Sequence, residues 1–168
     1  LDGNCTVIAC QDTELSDTLN ALAKKPKLVI TDSQIFGKVS KIVPDDIPLT
    51  SFSILMARYK GELDVLINGA EKLSQIKDGD RILISEGCTH HRQCNDIGTV
   101  KIPNMIRKFT GAEPEFSFTS GGEFPQDLSG FSLVVHCGGC TLNEKEMKHR
   151  VNLAREQGVP MVNYGVAI

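Results

Sequence analysis

The chain reads as an α/β fold, a mostly parallel β-sheet flanked by helices with a small β-α-β-α unit in front of it. Two observations predict this. Short apolar runs of strand character alternate with stretches of helical period almost to the last residue, which is the signature of a parallel sheet with crossover helices. A single turn-rich segment, PDDIPLT at 44–50, divides a first unit over 1–50 from a second over 51–168.

In the first unit CTVIAC at 5–10 reads as a short strand. Leu15, Leu19 and Leu22 then repeat at helical spacing behind the capping candidates Asp12 and Thr13, and Pro26 ends that helix. LVIT at 28–31 reads as a buried strand, and 33–43 as a second helix stopped by Pro44. So small a unit makes a poor core alone, and its parallel strands leave an open edge. Either a second chain pairs with that edge, or the unit packs on the rest of its own chain.

The second unit opens with a long helix expected over 53–76, with Tyr59, Leu63, Leu66, Ile67, Ala70 and Leu73 on one face. After the turn cluster at 77–80 comes a strand at 81–87. A short helix follows over 102–109, with Met105, Ile106 and Phe109 inward and Gly111 as its stop. EFSFT at 115–119 and FSLVVH at 131–136 read as further strands. Asn143, three residues before Glu146, caps a helix with Met147, Val151 and Ala154 inward, ended by Gly158 and Pro160. MVNY at 161–164 is the last strand.

Composition narrows the function. Eighteen Lys and Arg against 21 Asp and Glu leave a net charge of −3, and 7 Phe, 2 Tyr and no Trp offer little for stacking bases. Neither half of a nucleic-acid surface, phosphate neutralisation or base stacking, is present. No apolar run approaches the ~18 residues of a membrane span, and no signal peptide is visible, so a soluble protein is expected. The chain starts at Leu1 and not at Met, which reads as a fragment or processed piece.

Six cysteines, at 5, 10, 88, 94, 137 and 140, stand out in a chain too long to need a disulfide framework. Four of them lie in two loops. One, CTHHRQCND at 88–96, follows the strand at 81–87; the other, HCGGC at 136–140, follows the strand at 131–136 and precedes a helix. In open parallel sheets, ligands bind where the chain leaves the carboxyl ends of the strands. A lone CxxC is a weak signal, but two Cys/His loops at the same end of one sheet are a strong one. Gly138 and Gly139 let backbone amides approach sulfur, and the following helix N-terminus favours thiolate. Three cysteines at such a place suit an anionic iron-sulfur cluster and leave one iron open to an exchangeable ligand.

Cys88, Cys137 and Cys140 therefore read as metal ligands. Asp96, His90 and His136 are candidates for a labile fourth ligand, with the histidines equally readable as polar neighbours that tune the site. Cys94 is a spare ligand or a bystander. Cys5 and Cys10, on the strand expected at 5–10, read as small core hydrophobes. His91 and His149 read as solvated.

The motifs CTH at 88–90, DIG at 96–98, VKIP at 100–103, HCGGC at 136–140 and NYGV at 163–166 resemble the cluster-binding domain of the HydF family, maturation proteins of FeFe-hydrogenase. KPKLVITDS at 25–33 and LTSFSILMARYKG at 49–61 resemble that family's dimerisation domain and connecting helix. The resemblance implies a Rossmann-like domain over 51–168 with a 4Fe-4S cluster on Cys88, Cys137 and Cys140, behind a dimerisation domain over 1–50 that is incomplete at its N-terminus. It implies a cytoplasmic scaffold or carrier that holds a transient two-iron subcluster precursor and transfers it to apo FeFe-hydrogenase. The partners implied are radical-SAM maturases supplying the iron ligands, the hydrogenase, and a second copy in a homodimer or tetramer.

Family members also carry an N-terminal GTPase domain. Here the one Gly-Lys pair, Gly37-Lys38, is followed by Val39, and Asp32 stands where a phosphate-binding loop needs its first Gly. The fragment is thus expected to be no enzyme, with the family's C-terminal tail cut after Ile168. Two other readings of the cysteines stay open: a structural zinc module, since three Cys and a His suit tetrahedral zinc, and a dithiol redox protein using Cys137 and Cys140.

Overall fold

The computed structural model of the chain describes residues 4–60, 63–89 and 96–168. Among them two parallel sheets form. In the smaller, β1 (Val29–Thr31) pairs with β2 (Leu49–Ser51), Val29 opposite Leu49 and Thr31 opposite Ser51. Helix α1 (Leu15–Ala21), a 3-10 turn (Ser33–Ile35) and α2 (Phe36–Val39) complete this unit around Leu15, Val39, Val43 and Ile47. Asp32 starts the turn by accepting a hydrogen bond from the Gln34 N–H at 2.7 Å.

The larger sheet contains β3 (Arg81–Glu86), β4 (Glu115–Ser120), β5 (Leu133–His136) and β6 (Met161–Asn163), all parallel, in the spatial order β4-β3-β5-β6. Side chains that alternate along each strand supply two separate cores. Leu83, Val134 and Met161 face α6 (Glu144–Glu156) through Met147, Val151 and Ala154. Ile82, Ile84, Leu133, Val135 and Val162 face α5 (Ile102–Thr110) through Ile102 and Ile106. The central strands are buried on both faces, so every residue of an Ile/Leu/Val run contributes, each by ~1.5–3 kcal/mol when fully covered. Helices α3 (Phe52–Tyr59) and α4 (Leu63–Ala70) and the short α7 (Tyr164–Ala167) pack about the β6 side. No helix among the described residues is long and apolar enough to cross a membrane.

The expected α/β architecture with parallel strands is what forms, and several local expectations are corrected. Residues 5–10 form no strand; Val7 and Ile8 are exposed there, as are Cys5 and Cys10, so neither cysteine is a core residue. An apolar run asks for cover, but a strand also needs a neighbouring strand in register, and among the described residues the two sheets hold only β1-β2 and β4-β3-β5-β6. Strand β1 is only partly buried, with Ile30 half exposed, and the helix expected over 33–43 is reduced to the 3-10 turn and α2. Strand β2 begins inside the stretch at 44–50 read as the boundary and ends at Ser51 beyond it. The long helix expected over 53–76 is instead α3, α4 and a 3-10 turn (Glu71–Gln75), with residues 61–62 outside the described residues. Tyr59, Ile67, Met105 and Phe109, expected inward, are exposed. Asp12, expected as a cap, pairs with Lys38, and the residue that precedes α1 is Glu14, which makes no side-chain cap hydrogen bond.

Candidate metal centre

The strand order carries the site. From β3 the chain crosses to β4 at one edge, then returns past β3 to β5 and on to β6, so the winding reverses between β3 and β5. Ser85 lies opposite His136, and the two strands therefore end at nearly the same level. Their C-terminal loops leave the sheet side by side at this switch point, which is where open parallel sheets form a crevice. One loop begins Gly87-Cys88-Thr89; the other is Cys137-Gly138-Gly139-Cys140.

Backbone groups bind the two loops together. The Cys137 N–H donates to the Ser85 carbonyl at 2.9 Å, and the Thr141 hydroxyl donates to the Gly87 carbonyl at 3.3 Å. The Cys137 sulfur accepts the Gly87 N–H at 3.0 Å and the Gly139 N–H at 3.3 Å. Glycine is needed at both donors. A Cβ on Gly87 would fall 2.8 Å from Leu142 and 3.4 Å from the Gly139 Cα, while Gly139 has φ +59°, a left-handed turn that aims its N–H back at sulfur. Lys60, buried at the end of α3, donates its ammonium to the Gly139 carbonyl. Beyond Cys140, Asn143 caps α6 by accepting the Glu146 N–H at 2.8 Å, so the positive end of that helix opens near the cysteine turn.

Burial pushes the Cys137 thiol up in pKa, while the Gly87 and Gly139 amides pull it down and the neighbouring sulfurs of Cys88 and Cys140 push it further up. Cys88 and Cys140 thus both act electrostatically on Cys137, with Cys88 and Cys137 half-buried and Cys140 exposed. A bound cationic centre would relieve both burdens on Cys137, dehydration and like charge. Two amide donors on one sulfur are also what a cluster thiolate uses, and on these grounds the donor set fits an iron-sulfur cluster. Among the described residues no three His, Cys, Asp or Glu side chains gather closely enough to hold a single metal ion as they stand.

The other expected site residues separate. His136 is fully buried, and both its ring nitrogens are engaged: Nδ1 with the Cys137 carbonyl at 2.7 Å, and Nε2 with the Arg150 guanidinium at 3.1 Å. A carbonyl can only accept and a guanidinium only donate, so the ring carries its proton on Nδ1. As placed it offers a metal no lone pair, and a ligand role would require the Arg150 bond to break. Asp96 is nearly buried and caps a π-helical turn (Ile97–Lys101) that runs into α5; its Oδ2 accepts from Gly98 N at 3.0 Å, Thr99 N at 2.9 Å and the Thr99 hydroxyl at 3.0 Å. His90, His91 and Cys94 lie outside the described residues. His149 is exposed.

Three buried polar residues near the site were not singled out from sequence: Lys60, Glu86 and Arg150. Glu86 ends β3, and its Oε1 and the Tyr164 hydroxyl both crowd Gly98, where a side chain would overlap them. The Glu146-Arg150 spacing is that of an ordinary surface ion pair, so nothing in the sequence distinguishes Arg150.

Two family models match the chain. The hydrogen maturase F dimerization domain covers residues 1–61, and the hydrogen maturase F tetramerization domain covers residues 64–168. Both are named for assembly, which supports self-association, and neither name speaks of metal. Comparison with curated proteins gave no match.

Proposed function

The chain belongs to the hydrogen maturase F family, and from that premise we propose that it is a cluster-bearing scaffold of hydrogenase maturation, with Cys88, Cys137 and Cys140 as the thiolate ligands of a 4Fe-4S cluster. What supports this reading is that the loop of Cys88 and the loop of Cys137 and Cys140 leave the sheet side by side at the β3/β5 switch point, with two backbone amides already donating to the Cys137 sulfur. When bound, such a cluster supplies an iron with one position not taken by cysteine, open to an exchangeable ligand.

The protein's own part is to hold and present. Gly87 and Gly139 donate to the Cys137 thiolate, the Lys60 ammonium fixes the turn from behind, and the Asp96 carboxylate stands in the same connection as Cys88 as a candidate exchangeable ligand. The cargo is the two-iron subcluster precursor, received from the radical-SAM maturases that supply its ligands and passed to apo FeFe-hydrogenase. This part of the chain binds and hands over and catalyses no bond change. The dithiol redox reading is disfavoured because the thiol of Cys137, the first cysteine of the CxxC and half-buried, is raised in pKa by desolvation, whereas a disulfide-exchanging nucleophile needs a depressed one.

Anaerobic reconstitution of the 168-residue chain with iron and sulfide tests the reading. About four irons and four sulfides per chain are expected, falling to background in the triple variant Cys88→Ser, Cys137→Ser, Cys140→Ser. Full loading of the triple variant, or stoichiometric zinc without sulfide in the anaerobically purified protein, would overturn it.

A further inference from the structure

We infer that Arg150 is a positioning residue that sets the spacing between the two cysteine loops. The inference rests on the cluster reading above and deepens it. Arg150 leaves α6 with only 1% exposure and divides its guanidinium among three acceptors on three segments. Nε donates to Glu146 Oε1 at 2.8 Å, NH1 to His136 Nε2 at 3.1 Å, and NH2 to the Gly121 carbonyl at 2.7 Å. The Phe124 ring lies beneath it, 5.0 Å from Cζ to centroid.

Two of these contacts lead to the ligands. Through His136, Arg150 reaches the Cys137 carbonyl and hence the second loop. Through Gly121 it reaches the first: Gly121 has φ +60° and packs so closely on Thr89, the neighbour of Cys88, that a Cβ would lie 2.9 Å from the Thr89 methyl. One rigid planar fork therefore joins the loop of Cys88 to the loop of Cys137. Neither an ammonium nor an amide can reproduce it, since only guanidinium offers five donors in a fixed plane. Burying a cation this completely is costly where an apolar side chain would pack, and its one carboxylate partner, Glu146, remains 38% exposed. A side chain kept there at that cost, with its bonds directed at both loops, is accounted for by the geometry it imposes.

Arsenite, which binds three converging thiols more tightly than the two of a CxxC alone, measures the spacing in the metal-free chain. Arg150→Lys and Arg150→Gln should each weaken arsenite binding by about tenfold, within the ~10–100-fold loss typical of residues that orient metal ligands. Both should speed loss of iron to a chelator from the reconstituted protein and alter the electron paramagnetic resonance spectrum of its reduced state. Phe124→Leu, which disturbs packing beneath the guanidinium but none of its hydrogen bonds, should keep wild-type arsenite affinity. Should the Arg150 variants not fold, Gly121→Ala decides, because its methyl presses on Thr89 and should weaken arsenite binding similarly. The inference is overturned if the Arg150 variants, or Gly121→Ala in their place, bind arsenite within twofold of wild type, or if Phe124→Leu weakens binding as much as they do. Failure of the cluster reading looks different: the wild-type chain would take up no iron and sulfide, whatever the arsenite result.

Discussion

Acidification from pH 7.5 to 5 should destabilise the metal-free chain through one side chain, His136. Its imidazole is fully buried, donates to the Cys137 carbonyl and accepts from Arg150, so a second ring proton would have to replace the guanidinium bond. Burial is the largest influence on its pKa, and together with the Arg150 and Lys60 charges it outweighs the Cys137 carbonyl and Glu146, lowering the value from 6.5 to about 4. In the unfolded chain the ring keeps its ordinary value. Above pH 6.5 neither state binds the extra proton and the full stability is present. Below it the unfolded chain takes up a proton that the folded chain refuses, and stability falls until both are protonated near pH 4. At ~1.36 kcal/mol per pH unit the whole window is worth about 3.4 kcal/mol, of which about 2 kcal/mol is lost between pH 7.5 and 5. Urea unfolding at the two pH values reads this directly, with His136→Gln as the control. Carboxylates of lowered pKa such as Asp80 titrate below this window and are common to both chains. His136→Gln should lose less than about 0.5 kcal/mol over the same interval. Equal losses in the two proteins would refute the argument that His136 is held neutral.

Asp96→Ala removes three hydrogen bonds from the π-helical turn and should lower stability by about 1 kcal/mol in urea unfolding. If the carboxylate is also the exchangeable iron ligand, the reconstituted variant will show an altered spectrum and different affinity for added ligands; unchanged spectra and affinity would leave Asp96 a cap alone. Gly69→Ala puts a methyl into the Met161 carbonyl, forcing α4 away from β6, and should cost about 3 kcal/mol, the upper end of overpacking penalties. A thermal midpoint equal to wild type would show that α4 is not seated as described.

The parts legible in the sequence were those whose physics is local or periodic. The buried strands β3 and β5 announce themselves as unbroken Ile, Leu and Val, and the Asn143 cap as a side-chain acceptor three residues before Glu146. The cysteine spacing marked the loops, and parallel topology placed them at one end of one sheet. What depended on partners was not legible. Residues 5–10 have the composition of a strand, but composition does not supply the neighbour it must pair with, and β2 is three residues that begin within a turn-rich stretch. Helical period over 53–76 could not reveal that α3 ends at Tyr59 and that a separate helix, α4, runs over Leu63–Ala70. Arg150 was hidden for a related reason: its i,i+4 relation to Glu146 is what a solvated helix face shows, and only the approach of His136 and Gly121 from elsewhere in the fold makes it a buried hub.

The Cys137 amide donates to Ser85, which makes this residue the last rung of the β3/β5 ladder and already fixed before any metal arrives. Backbone ordering is worth ~1–2 kcal/mol per residue, and at Cys137 that entropy is surrendered during folding itself. On the proposed function, the conformational cost of closing the site therefore falls unevenly, on Cys88, half-buried beyond the end of β3, and on the exposed Cys140. Loading and unloading of the proposed cluster would then be asymmetric events, with the Cys137 sulfur as the anchor. If the chain hands over its cargo as proposed, a receiving protein would need to loosen only the two sulfurs that stand beyond the ladder.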